Sequence, residues 1–198
     1  MLMRLHTLTS GWRGPLLALL AGALSVPAFS PWGIWPLVLP SLLALLLLLQ
    51  GQSPRRSAVL GFSWAFGLNM PGLWWIHISM TAFGGIPLAV AFLLVGALAA
   101  YLALYPTLAC YLLGRYFPRG GAVRHLLALP ALWLLADWAL GHVLTGFPWL
   151  WLGYSQLDSP LIGWAPLLGV QGITLALLLS VGALLVAWQQ RRLMWLLL

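Results

Sequence analysis

From Ser57 to Gly114 the chain carries not one Asp, Glu, Lys or Arg. A water-soluble domain cannot sustain such a stretch, because its outer surface must be covered by groups that water solvates, and soluble domains carry about 25% charged residues. Here only 6% of the 198 residues are charged and 63% are hydrophobic, so the medium around most of the chain must be lipid. In hydrocarbon each backbone N–H and C=O has to be satisfied within its own segment, which makes long apolar runs helical. A helix of about 20 apolar residues crosses the hydrocarbon core. The runs are Pro15–Phe29, Trp35–Leu49, Ser57–Ile76, Pro87–Leu113, Leu126–Leu144 and Leu161–Trp188, followed by an apolar stub at Leu193–Leu198. They predict an all-α polytopic membrane helix bundle of about six transmembrane helices plus the start of a seventh, with residues 1–198 forming one transmembrane domain. The first two runs are short. Pro27, Pro31, Pro36 and Pro40 lie between or within them, which predicts a hairpin with irregular helix ends.

The arginines set the topology. All nine basic residues are arginine, at positions 4, 13, 55, 56, 115, 119, 124, 191 and 192. If the six runs are spans, every arginine falls on one side, and the loops near Phe29–Trp35, His77–Ile86 and Thr145–Pro160 carry none. Basic residues concentrate in cytoplasmic loops, so the N-terminus is expected in the cytoplasm. Short arginine clusters between apolar runs suit anionic lipid headgroups; nucleic acid is not an expected partner despite the net charge of +7. A cleavable leader ending at Ser30 is disfavoured because Pro31 would follow the cut, so the first run is read as an uncleaved span.

Chemistry-bearing residues are few. The acids are Asp137 and Asp158, and there is no glutamate or lysine. Cys110 lies mid-span with no local base or cation, where a thiolate is costly, and is read as a small core residue. The histidines are too dispersed for a metal site, and no phosphate loop, serine elbow or dinucleotide fingerprint occurs; no cofactor is expected. Many tryptophans, among them Trp12, Trp32, Trp74, Trp75, Trp149 and Trp188, sit at span ends, where Trp and Tyr favour the membrane interface. After the fifth run the chain reads Thr-Gly-Phe-Pro-Trp-Leu-Trp-Leu-Gly-Tyr-Ser-Gln from Thr145 to Gln156. Glycine and proline break the helix there, and four aromatics crowd beside Ser155 and Gln156. The segment is a platform at headgroup depth that suits a lipid near its ester linkage. An aromatic belt that merely anchors helix ends accounts for the same residues, and the side chains alone favour that plainer reading.

The order of these pieces resembles the membrane domain of the apolipoprotein N-acyltransferases along nearly the whole chain. The resemblance is carried by Ala28-Phe29-Ser30-Pro31, by Gly61 through Gly67, by Ser79 and Phe83-Gly84-Gly85, and by Ala99 through Tyr105. It is densest at Pro130-Ala131-Leu132-Trp133, Leu144 through Trp149 and Gly153-Tyr154-Ser155-Gln156, and it ends with Ala165 through Val170. It implies a bacterial inner-membrane enzyme of lipoprotein biosynthesis that moves an acyl chain from a phospholipid to the α-amino group of an apolipoprotein's N-terminal cysteine. In that family the acyl chain passes through a thioester on the cysteine of a Glu-Lys-Cys triad, held in a nitrilase-like domain after the seventh span. The present sequence has no residues for that triad and stops within the apolar stub, so it is read as the membrane part alone, truncated before the nitrilase-like domain and inactive without it.

Within the resemblance, Phe147, Pro148, Trp149, Tyr154, Gln156, His77 and Asp137 are the candidate substrate- or lipid-contacting residues, with Trp149 central to a lipid or lipoprotein entrance. Asp137 lies inside the fifth run, where a carboxylate is expensive. The family tends to pair an acid there with an arginine three residues on, and here that position is Leu140. A structural polar contact, a protonated state and pairing with His142 remain open, although a five-residue offset aligns poorly on a helix. His77 stands where the family usually shows tyrosine, and an interfacial histidine explains it without a ligand. Gln171 stands where glutamate is common. His6 and His125 are expected to be solvated on the arginine side. Two other classes compete. A transporter needs ionisable residues along a route, and only Asp137 qualifies; a non-catalytic membrane interaction protein, a remnant of the family, fits the residues better.

Overall fold

The computed structural model describes residues 11–190. Arg4, His6, Arg191, Arg192 and the Leu193–Leu198 stub lie outside the described residues. Among the described residues the chain forms seven α-helices, several short 3-10 turns and one π-helical turn, with no strand. The helices are α1 (Arg13–Leu24), α2 (Val38–Leu48), α3 (Pro54–Gly72), α4 (Ile76–Ala82), α5 (Leu88–Tyr116), α6 (Leu129–His142) and α7 (Ala165–Gln190). Leu88–Tyr116, Val123–Thr145 and Pro160–Gln189 are long and apolar enough to cross a membrane, and Arg13–Ala28 and Trp35–Leu48 are shorter apolar helical segments. The chain is thus an all-α membrane bundle.

The predicted runs map onto these helices with instructive shifts. Pro54 sits at the start of α3, where its missing N–H costs nothing, and the Ser53 side chain accepts from the Arg56 N–H at 3.3 Å as an N-cap. The third run therefore begins earlier than its apolar residues do, with Arg55 and Arg56 in its first turn. It also stops earlier, at Gly72 rather than Ile76. Pro71, with no N–H to donate, closes the last turn, and a separate short helix, α4, occupies what reads as a loop in sequence. The sixth run begins as a 3-10 turn at Pro160–Trp164 and is broken at Gly169, whose φ of 62° is left-handed.

Packing centres on α3, with α1 on one side and α5 on the other. The α1–α3 contact is very close. A Cβ on Gly22 would lie 1.8 Å from the Trp64 carbonyl oxygen, and one on Gly67 would lie 2.1 Å from the Leu19 carbonyl oxygen. The reciprocal pairing, Gly22 on Trp64 and Leu19 on Gly67, is that of antiparallel helices meeting backbone to backbone. Small residues do this in membranes, where apolar burial does not drive helices together and van der Waals contact must. Trp64 is itself buried and meets Trp133 of α6 edge to face, with ring centroids 5.6 Å apart. Leu93, Leu104 and Leu108 on α5 and Leu127, Leu135 and Trp138 around α6 point outward, giving the lipid-facing surface that the composition requires.

A buried polar node joins the first three helices. Ser41 of α2 donates to the Ala21 carbonyl at 2.5 Å and accepts from Ser25 Oγ at 2.6 Å and from Trp64 Nε1 at 3.0 Å. One hydroxyl thereby meets its full capacity of one donor and two acceptor positions. Ser41→Ala is expected to leave the indole N–H and the Ser25 hydroxyl unpaired and to cost about 1–2 kcal/mol, measured by reversible unfolding in detergent. A change under about 0.5 kcal/mol would mean that the node contributes nothing measurable.

The described arginine-bearing connections meet at one end. Arg56 reaches the Gly11 carbonyl at 2.5 Å. Arg124 departs from the sequence expectation of a headgroup-facing arginine, since it is 4% exposed. Its Nη1 donates to the carbonyls of Leu113, at 3.3 Å, and Phe117, while Nη2 donates to Leu49 at 3.2 Å. These carbonyls end α5 and α2, and helix ends leave such oxygens without intrahelical partners. One guanidinium, with its forked donors and full charge, caps two helix C-termini. His125 is likewise buried rather than solvated, at 0% exposed. The cause is the π-helical turn Val123–Ala128 that leads into α6, which packs against α7 and brings Gly182 onto the His125 carbonyl.

Candidate functional site

At the opposite end the three arginine-free connections converge. The α1–α2 connection contributes Phe29 through Trp32, the end of α3 contributes Pro71, Gly72, Trp74 and Trp75, and the segment after α6 contributes Pro148, Trp149, Leu150, Tyr154 and Leu157. Together they wall a cavity of about 680 Å3 with almost entirely apolar or aromatic sides. That volume is in the range of small-molecule and cofactor sites.

The local sequence explains how the third wall is presented. After α6, Leu144 and Thr145 take φ of 51° and 73°, and Gly146 follows at 80°. Left-handed backbone is costly for leucine and for a β-branched threonine. The turn folds the chain back, so that the Phe147 N–H donates to the Leu140 carbonyl at 3.0 Å. At Gly146 no side chain fits, since a Cβ would lie 2.1 Å from the Gly141 carbonyl oxygen. Phe147 and Trp149 then stack at 5.7 Å, and Trp149 meets Trp75 at 5.5 Å across the cavity wall. Downstream, the 3-10 turn Leu152–Gln156 is pinned to α7 by the Gly153 N–H donating to Thr174 Oγ1 at 2.9 Å. Trp151 and Tyr154 stack within this segment. The aromatic platform is held from both ends, by α6 and by α7.

The sequence candidates divide among distinct places. Pro148, Trp149 and Tyr154 line the large cavity. Gln156 does not line it and is buried, donating from Nε2 to Ser155 Oγ at 3.0 Å, with its Oε1 unpaired. His77 lies on α4, packed against the rings of Trp74 and Phe92 at 4.8 and 5.0 Å, which themselves meet at 4.9 Å, with Nδ1 against the Trp74 carbonyl. It touches the cavity only through Trp74. Phe147 and Asp137 share a second, small cavity of about 30 Å3 on the inner side of the platform, beside Asn69 and Trp151. Asp137 is 6% exposed and its Oδ2 has no partner. Pairing with His142 is not formed. His142 Nδ1 meets the Trp138 carbonyl at 2.8 Å, one turn back, and its ring stacks on Trp138. Cys110 is buried against Gly61 of α3.

Residues that sequence reasoning had assigned only to an interfacial belt, Trp32, Trp74 and Trp75, are cavity walls, as are Ser30, Pro31 and Pro71. The usable signal was that the stretches Pro31-Trp32, Pro71–Trp75 and Pro148-Trp149 each combine proline with tryptophan. Among the described residues no group of three His, Cys, Asp or Glu is placed to hold a metal.

Comparison with known proteins places this architecture. A family model described as the apolipoprotein N-acyltransferase N-terminal domain matches residues 21–183. An apolipoprotein N-acyltransferase of Vibrio vulnificus is 46% identical over 187 residues, 94% of this chain and 37% of the relative. That of Photobacterium profundum is 49% identical over 170 residues, 85% and 33%, and that of Pseudomonas putida is 45% identical over 175 residues, 88% and 35%. The chain thus spans about a third of the length of these relatives. It is a bacterial membrane protein, and it belongs to the apolipoprotein N-acyltransferase family, to which it corresponds as the N-terminal membrane domain.

Proposed function

We propose that this chain is the lipid-handling part of an apolipoprotein N-acyltransferase of the bacterial inner membrane, with its N-terminus in the cytoplasm and its aromatic cavity at the opposite face. The cavity receives an acyl chain, and the platform from Phe147 to Gln156 presents the adjoining ester at headgroup depth. A phospholipid and an apolipoprotein are its substrates. The nucleophile, base and electrophilic stabiliser belong to the family's nitrilase-like domain, since the sequence has no glutamate or lysine and Cys110 is buried between helices. On this reading residues 1–198 form one domain that binds and positions and does not catalyse alone. The orientation rests on the arginine distribution.

The observation that carries the proposal is the 680 Å3 apolar cavity walled by the platform and opening among exposed tryptophans. A packed aromatic belt that only anchored helix ends would have no reason to leave a half-open cavity of that size. Trp149 bridges the Phe147 and Trp75 rings, so its loss removes the central wall. In a full-length relative, Trp149→Ala at the matching position is expected to slow acyl-enzyme formation about tenfold, the 1.4 kcal/mol of one aromatic contact. Acyl-enzyme formation and transfer both at the parental rate would sink the proposal.

A further inference from the structure

Two buried polar atoms, Asp137 Oδ2 and Trp151 Nε1, meet no hydrogen-bond partner among the described residues. They are complementary in kind, since an indole N–H can only donate and a carboxyl oxygen accepts, yet they are not bonded to each other. Asp137 stands on α6 and is 6% exposed. Trp151 belongs to the platform, and its ring lies against α6, where a Cβ on Gly141 would come within 2.9 Å of Trp151 Cζ2. Both residues line the small cavity of about 30 Å3, together with Asn69 of α3, itself buried. The other walls are apolar or aromatic, and one of them, Leu150, also borders the large cavity.

A buried donor and a buried acceptor are costly to leave unmade. Wholly apolar cavities stay dry, whereas a cavity with polar groups in its walls takes up water once it offers roughly 10–15 Å3 and at least about two partners. This cavity exceeds that volume. It offers the Trp151 N–H as donor, Asp137 Oδ2 as acceptor and the Asn69 amide as a third polar group. It is too small for any part of a lipid beyond a methyl or two. We propose that the cavity is a hydration site, in which a bound water accepts from Trp151 Nε1 and donates to Asp137 Oδ2. The bridge ties the aromatic platform to α6. Trp151 in turn stacks on Tyr154, which lines the large cavity, so Asp137 serves to hold the platform from within and not to touch a substrate. The site stands whether or not the large cavity takes an acyl chain.

The experiment uses the 198-residue chain, deuterated and labelled with nitrogen-15 at tryptophan, in deuterated detergent micelles. Water-selective NOE and ROE spectra are recorded on the indole N–H signals, and Trp151→Phe assigns Trp151 among the 13 tryptophans. The Trp151 indole N–H is expected to show a cross-peak to water, with the opposite NOE and ROE signs of a water that stays bound. Asp137→Leu is expected to abolish it, because leucine has no acceptor and fills the cavity. Asp137→Asn is expected to keep it, because the amide oxygen still accepts and amide hydrogens exchange too slowly to imitate water as a carboxyl proton could. A parent chain without the cross-peak overturns the proposal. A cross-peak lost in Asp137→Asn also overturns it, by assigning the parent signal to relay through the carboxyl proton. One that survives in Asp137→Leu removes Asp137 from the site and overturns the bridge. If the leucine variant does not fold, the parent chain and the asparagine variant decide between the same outcomes.

Discussion

Alanine at Gly22 or at Gly67 is expected to lower stability by about 3 kcal/mol, the upper range for overpacking a well-filled interior. The reason lies in what the new methyl group meets. At both positions it lands on a backbone carbonyl of the facing helix, at 1.8 and 2.1 Å, and a carbonyl in mid-helix cannot swing away as the end of a side chain can. The helices must separate, and the separation spreads. Trp64, whose carbonyl faces Gly22, also donates to Ser41 and packs on Trp133, so α2 and α6 lose contacts as well. Helix propensity runs the other way, since alanine is favoured over glycine by about 1 kcal/mol in a helix; a net loss therefore isolates the packing term. Reversible unfolding in detergent micelles gives the value. Because the two sites share one interface, the double substitution is expected to cost less than the sum of the singles. Unchanged stability of both single variants would show that α1 and α3 are not in backbone contact.

The second large effect is expected at Arg124. Arg124→Leu removes the donors to Leu113, Phe117 and Leu49 and leaves the C-terminal ends of α2 and α5 uncapped in a water-poor site. Hydrogen bonds to a charged group contribute about 1.5–3 kcal/mol each. Two of the three are longer than ideal, so a total of about 3–5 kcal/mol is expected. Arg124→Lys should recover part of it, because an ammonium keeps the charge but lacks the fork that reaches two helix ends at once. Equal losses for leucine and lysine would show that geometry carries the whole effect. No loss for either would remove the capping role. The same unfolding measurement distinguishes these outcomes.

Arg124 also marks where sequence reading stops. Its neighbours Arg115 and Arg119 are alike in sequence, three basic residues in one connection, and only Arg124 is buried. What separates them is the π-helical turn that precedes α6. No residue in Val123–Ala128 announces that turn, which places Arg124 and His125 inward. The same holds for α4. Its residues read as a loop because they lack a long apolar run, yet the stop at Pro71 and Gly72 leaves room for a short helix before Phe83.

The candidate site was legible in part. The break at Gly146 and Pro148 and the crowd of aromatics after it are chemical facts of the chain, and they pointed to a platform. Whether a platform faces a cavity or merely lipid is a question about its neighbours in space. Trp32 and Trp75 are far from Trp149 in sequence, and the hairpin of α1 and α2 together with the end of α3 brings them to it. Asp137 was grouped with Trp149, and the fold puts it in a second, smaller cavity, which Phe147 also lines while stacking on Trp149, because the chain reverses through Leu144 to Gly146.

The amino-acid sequence by itself determined the solvent, the helical class and which connections share an end. Those follow from transfer energies and backbone hydrogen bonding, which act residue by residue and need no knowledge of partners. Tertiary structure alone decided the spacing of α1 and α3, the burial of Arg124 and His125, the lack of a pair between Asp137 and His142 and the assembly of the aromatic cavity. Each of these depends on which residues from distant segments meet. In a bundle whose interior and exterior are both apolar, hydropathy does not distinguish the residues that face neighbouring helices from those that face lipid.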